Sequence, residues 1–186
     1  FTPGDKREAR KALALPLEAR LIGCSGRLEM VKGQQVLIDA FALLDKDCHL
    51  VLAGSGSMEQ SLRRQATALG MADRVHFAGH LEEMPVFYRA LDLYCQPSLN
   101  EGLPLAPLEA QSCGIPAVVT DVGGSRETLS PESGTLVRAN DPVELARVLK
   151  RCIRSGGKSN PRPFIRASFD TEAMVSSYRR LYAGAA

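Results

Sequence analysis

The alternation of two kinds of segment constrains this chain more than any single residue does. From Leu21 onward, short runs of apolar and β-branched residues take turns with longer stretches whose apolar positions recur at helical spacing. That is the pattern of βα units, in which each strand returns through a helix to lie parallel to a neighbour. Six strands are predicted, at residues 21–25, 48–53, 74–78, 91–96, 117–121 and 134–137, several ending in Gly or Ser as a tight β-to-α turn favours. Helices are predicted at 34–44, 57–69, 84–90, 105–113 and 142–153, with two more after the last strand near 163–167 and 171–182. The first puts Val36, Leu37, Ala40, Phe41 and Leu44 on one face. Ser57 is expected to cap the second ahead of Met58. Asp141-Pro142 should open the 142–153 helix with Asp as N-cap and Pro in the first turn. The expected fold is α/β: a doubly wound, six-stranded parallel sheet of Rossmann-like type with helices on both faces. Ligands then bind outside the carboxyl ends of the strands, at the topological switch point.

A chain of 186 residues suits one such domain. Residues 1–17 read as a linker leading into it, 155–161 as a flexible surface loop and 171–186 as a C-terminal helix. No apolar run approaches the roughly 18 residues that span a bilayer. A net charge of +2, from 23 basic and 21 acidic residues with no basic stripe among aromatics, gives no sign of nucleic-acid binding. Cys24, Cys48, Cys95, Cys113 and Cys152 are an odd number at wide spacing, three of them in strand-like runs. Buried reduced thiols, and with them a cytoplasmic location, are expected rather than a disulfide framework.

The candidate chemistry falls in the loops after the strands. Glu101 and Glu109 stand eight positions apart across a Gly/Pro turn, Gly102-Leu103-Pro104-Leu105, that opens a helix. The first carboxylate can reach ligand hydroxyls, and Pro104 in the first helical turn would leave the following N–H groups to meet an anion. A ligand with both hydroxyls and phosphate, such as a sugar nucleotide, fits; a loop Glu and a helix-face ion pair account for the two residues as well. Paired carboxylates also suit a hydrolase, but no third polar group nearby marks a water-activating site. After the first strand, Gly26-Arg27 and Lys32-Gly33 place two cations where a diphosphate could sit, although on spacing alone solvated loop residues are the better account. Gly54-Ser55-Gly56 lacks the third glycine of a dinucleotide fingerprint and reads as a turn, which also counts against an NAD-dependent dehydrogenase. His80 could touch a base or cap its loop. Gly123-Gly124 with Glu127 reads as an anion-facing turn or a tight left-handed one. The histidines and cysteines show no metal-ligand spacing, and no metal or cofactor is expected.

Taken in order, these motifs resemble the C-terminal, donor-binding half of GT-B glycosyltransferases, most closely glycosyltransferase family 4 (glycosyl transferases group 1). The resemblance rests on Gly26-Arg27-Leu28 with Lys32-Gly33, on Leu52 to Gly56, on Val75 to Gly79, on Pro97-Ser98, on Glu101 and Glu109 as the family's pair of glutamates, on Gly114 to Val119, and on Gly123-Gly124 with Glu127. Gln96, Asn100 and Arg126 depart from the usual pattern.

The resemblance implies that Gly26, Arg27 and Lys32 hold the diphosphate, Glu109 the ribose and Glu101 the donor sugar. Gly102, Leu103, Pro104 and Leu105 would support sugar and phosphate, while His80 and Leu81 flank the base. It further implies retaining, metal-independent transfer from a nucleoside diphosphate sugar, a UDP- or GDP-sugar foremost, to a saccharide or lipid-linked acceptor. Arg27, Lys32 and Glu101 would be the catalytic set. An N-terminal acceptor domain is expected outside this chain, so that the fragment alone is expected to bind donor weakly and turn over little, and peripheral membrane contact would belong to the full-length protein. A non-catalytic nucleotide-binding module and a GT-B-type nucleotide-sugar epimerase are the alternatives.

Overall fold

The computed structural model describes residues 1–155 and 160–184; residues 156–159 of the expected loop, and the last two of the chain, lie outside them. The described chain runs α1 (Lys6–Ala12), β1 (Arg20–Ser25), α2 (Gln34–Phe41), β2 (Cys48–Ala53), α3 (Glu59–Ala68), β3 (Val75–Gly79), α4 (Met84–Ala90), β4 (Leu93–Gln96), α5 (Ala106–Ser112), β5 (Ala117–Thr120), β6 (Thr135–Val137), α6 (Pro142–Arg154), α7 (Arg162–Ser168) and α8 (Thr171–Ala183). Short 3-10 turns stand at Met30–Lys32 and Gly123–Thr128.

All six strands are parallel, in the order β3-β2-β1-β4-β5-β6. The connection reverses direction between β1 and β4, which puts the switch point between two central strands. Because successive side chains point to opposite faces, each strand feeds two cores. Ile22, Cys24, Leu50, Leu52, Leu93 and Cys95 pack with helices α2, α3 and α6 on one face. Leu21, Val51, Ala53, Tyr94 and Val119 pack with α1, α4 and α5 on the other. Phe41, Phe87, Tyr88 and Tyr94 are fully enclosed. Helix α6 shows why periodicity was readable: Leu145, Ala146, Val148, Leu149 and Ile153 form one buried stripe, and Asp141 caps it by accepting from the Glu144 N–H at 2.9 Å.

The structure corrects several local expectations. Ser57 does not cap α3, which starts at Glu59 behind Met58; its N–H and hydroxyl both donate to the Glu29 carboxylate instead, at 3.1 and 2.7 Å. Pro104 is not in the first turn of α5. That helix begins at Ala106 with Pro107 in its first turn, and Pro104 is buried in the loop before it. Within the segment read as a linker, Lys6–Ala12 is a helix capped by Asp5, with Ala9 and Arg10 buried against the sheet domain.

Candidate functional site

Two glycines let the carboxyl-end loops close on one another. Gly54 has φ +133°, and a Cβ there would lie 2.0 Å from the Gly26 carbonyl oxygen; Gly123 has φ +51°, and a Cβ there would lie 1.7 Å from the Glu101 carbonyl oxygen. The loop after β2 therefore lies directly on the loop after β1, and the loop after β5 directly on the loop after β4. The Gly124 N–H completes the second contact by donating to the Gly102 carbonyl at 2.7 Å. Gly123 sits in the left-handed conformation of a tight turn, and Gly54 likewise serves a turn.

Between these loops opens a cleft of about 390 Å³. Gly26, Arg27, His80, Leu81, Leu105 and Glu109 line it, together with Ser25, Ser55, Met84 and Tyr88. Arg27 and His80 are exposed at the opening, and among the described residues no acceptor takes the Arg27 guanidinium. Glu101, Lys32, Gly102, Leu103 and Pro104 are not in this wall. Glu101 and Lys32 meet each other instead, across the switch point, with Nζ 2.7 Å from Oε1. The same Oε1 also accepts from Gln96 Nε2 at 2.7 Å and from the Ser98 hydroxyl at 2.6 Å. All three donors converge on one carboxylate oxygen, and no donor among the described residues is on Oε2. Gly102 and Leu103 are exposed next to it. Gly102, Leu103 and Pro104 stand in the loop before α5, whose N-cap is Leu105.

Glu109 sits in α5 and accepts from the Tyr88 hydroxyl at 2.7 Å. Tyr88 is buried, and that desolvation pushes its phenol well above the usual range. It reaches Ser25 Oγ at 3.1 Å, which reaches the Tyr94 hydroxyl at 3.2 Å, and Tyr94 lies 3.3 Å from Gln96 Oε1. Beneath the Glu101 group, burial pushes the Cys24 thiol up to about 12, with the Lys32 charge offsetting part of the shift. It is a packing residue rather than a nucleophile.

Sequence reading brought out the charged residues and missed Ser25, Tyr88, Tyr94, Gln96 and Ser98, which hold them. A usable signal existed: Tyr88 and Tyr94 stand in apolar runs, and a buried phenol needs a hydrogen-bond partner. Among the described residues no group of three or more His, Cys, Asp or Glu side chains could hold a metal ion. No described helix is long and apolar enough to cross a membrane. All five cysteines are free.

The comparisons with known proteins agree on the architecture. HepE (Alr3699) from Anabaena, solved in complex with UDP, superposes with a TM-score of 0.90 at 28% identity, covering 99% of this chain and 54% of that one. The same protein has been solved with UDP-glucose, at a TM-score of 0.88. The C-terminal domain of a glycosyl transferase group 1 family protein (LpcC) from Francisella tularensis matches along 92% of this chain and 96% of its own, with a TM-score of 0.82 at 23% identity, a likeness of fold. The fold is thus the α/β, Rossmann-like arrangement seen in GT-B glycosyltransferase structures. Among curated proteins, the lipopolysaccharide core biosynthesis mannosyltransferase LpsB of Rhizobium meliloti (strain 1021) is 39% identical over 150 residues, 75% of this chain and 43% of that protein. The D-inositol 3-phosphate glycosyltransferase of Mycolicibacterium gilvum (strain PYR-GCK) is 38% identical over 187 residues, 95% of this chain and 40% of that protein. The chain spans less than half the length of these curated relatives. Its residues 5–167 match the family model for glycosyl transferases group 1, and the chain belongs to that family.

Proposed function

We propose that this chain is the donor-binding part of a retaining, family 4 type glycosyltransferase that moves a sugar from a nucleoside diphosphate sugar to a saccharide or lipid-linked acceptor. One observation carries the reading. Two carboxylates and two cations gather at the switch point, and one of the cations, Arg27, lines the cleft opening with no hydrogen-bond or ion-pair acceptor for its guanidinium among the described residues. Its guanidinium suits the nonbridging oxygens of a diphosphate. Lys32 adds a second charge, having committed itself so far to a single acceptor, Glu101. Together the two cations would neutralise the leaving diphosphate as its charge develops, the task a divalent metal performs elsewhere.

Glu109 would accept from ribose hydroxyls, and Glu101 would offer its open Oε2 to the donor sugar. Gly102 and Leu103 border that sugar, while His80 and Leu81 flank the base. UDP is the first candidate nucleotide, because HepE has been solved with UDP and with UDP-glucose; GDP is the second. The acceptor would be bound by residues outside this chain, given the length of the relatives, and any contact with a membrane surface would lie there too. The reduced cysteines fit a cytoplasmic setting.

Calorimetric titration with UDP, GDP and ADP, with and without chelator, tests this reading. Saturable, chelator-insensitive binding of one nucleotide, weakened by Glu109→Ala, is the expected result. No binding of any of the three, or binding lost on chelation, overturns it. Sugar transfer by the 186-residue chain alone at a steady rate would refute the assignment of the acceptor site to other residues.

A further inference from the structure

The two carboxylates are joined by an unbroken chain of polar atoms, running Glu109, Tyr88, Ser25, Tyr94, Gln96, Glu101. Counting protons along it fixes the direction of its bonds. A carboxylate only accepts, so the Tyr88 hydroxyl spends its one proton on Glu109 Oε2. The Tyr88 oxygen must then accept from Ser25, which spends its own proton there. Gln96 places its amide N–H on Glu101 and turns its amide oxygen back towards Tyr94. Tyr94 is left to donate either to Ser25 or to Gln96, and accepts from neither. On either side of Tyr94 the protons point outward, from Ser25 and Tyr88 to Glu109 and from Gln96 to Glu101, and the single Tyr94 proton closes only one of its contacts. Among the described residues Tyr88 is the one side chain that donates to Glu109, whereas Glu101 has three donors.

We infer that Tyr88 is a positioning residue: held by Ser25, it pins one oxygen of Glu109 and so aims the carboxylate at the ribose, which makes the site select a ribonucleoside diphosphate over its 2′-deoxy form. The inference rests on the proposed nucleotide-sugar reading. Its geometric basis is that Tyr88 is fully buried, with its ring packed edge-on against Phe87 and Tyr94, and backs the cleft with its hydroxyl on Glu109. A ring so confined leaves the hydroxyl a single place to be, and the carboxylate it holds inherits that order.

The chain is titrated with UDP, GDP and ADP, and the tightest of the three is compared with its 2′-deoxy analogue. The unaltered chain is expected to prefer the ribonucleotide by about tenfold or more, the scale on which a site built for a hydroxyl rejects its absence. Tyr88→Phe keeps the ring and removes the donor. It should weaken the ribonucleotide by about tenfold and the deoxynucleotide by less than about threefold, so that the preference collapses. Ser25→Ala, which frees the Tyr88 hydroxyl to turn, should shift the preference in the same direction by less and covers the case in which Tyr88→Phe does not fold. Equal losses against both nucleotides, or an unchanged preference in both variants, overturns the inference. Absence of nucleotide binding by the unaltered chain defeats the parent reading, and binding with no ribose preference defeats the inference alone; both are visible before any variant is made.

Discussion

Each end of the sheet is organised around one carboxylate that takes three donors, and the two groups are built to opposite ends. At the amino end, Asp92 accepts from Lys6 Nζ on one oxygen, at 2.6 Å, and from Arg10 Nη2 and the Leu21 N–H on the other, at 2.8 and 2.7 Å. Arg10 is itself enclosed, donating also to the carbonyls of Ala90 and Leu17. Every polar atom is spoken for, and the group clamps α1 to the sheet. At the carboxyl end, Glu101 crowds its three donors onto Oε1 and has none on Oε2, while the nearby Arg27 guanidinium has no hydrogen-bond or ion-pair acceptor among the described residues. A closed set is the signature of structure, since a buried polar group left unmatched costs free energy; at the other end the exposed Arg27 guanidinium is left where a ligand could reach it.

The contrast can be broken most decisively at the amino end. Asp92→Ala strands the buried Arg10 charge and should cost about 3 kcal/mol of stability, read by urea denaturation, while the folded fraction binds nucleotide normally. A variant as stable as the parent would show that the clamp is ornamental. Arg27→Ala should do the reverse, weakening nucleoside diphosphate by about 1.5–3 kcal/mol in calorimetry with stability unchanged within about 0.5 kcal/mol. If affinity holds, the exposed guanidinium is a solvated loop residue.

Gly123→Ala sharpens the picture by moving one loop. Its Cβ has no room against the Glu101 carbonyl and the backbone is left-handed there, so we expect about 1–2 kcal/mol of destabilisation together with weaker donor-sugar binding. Loss of stability alone would separate that turn from the site. The smallest effect concerns the His49 and His76 pair, stacked on neighbouring strands β2 and β3 with ring nitrogens 2.9 Å apart. Burial holds both imidazoles below their ordinary value of 6.5, helped by the charge of Arg74 at His49 and by His49 itself at His76. The unfolded chain therefore takes up these protons first. Stability is full above pH 6.5 and declines as pH falls below it towards the folded values. His76→Asn should flatten that decline in denaturation curves at stepped pH, with nucleotide affinity unmoved.

What could be read from the sequence was whatever repeats with a period or carries a charge. The six strands emerged within two residues of their ends, because both-face burial writes continuous apolar runs, and Glu101, Glu109, Arg27 and Lys32 were singled out as charges set after strands and near a helix start. The arrangement of donors could not. Ser57 looks like a cap until Glu29, 28 positions earlier, claims its hydroxyl. Arg10 looks like a linker residue until Asp92, 82 positions later, shows why it is buried. Tyr88 and Tyr94 look like core until Ser25 joins them. Each of these depends on a partner distant in the chain, which no local pattern encodes. Pro104 failed for a different reason: two prolines three apart both satisfy the rule for a helix start, and only tertiary packing chose Pro107.

The strand order also bears on how readily such a protein can change its ligand. The loops proposed to take phosphate and sugar hang from β1 and β4, each flanked by strands on both sides, so a backbone adjustment there disturbs two neighbours. The loop proposed to flank the base, with His80 and Leu81, hangs from β3, an edge strand with a single neighbour. Mutational latitude is therefore greatest where the base would be chosen and least where the diphosphate would be gripped. On the proposed reading, a lineage or an engineer would exchange one nucleotide for another at the rim of the sheet and leave the diphosphate site at its centre alone.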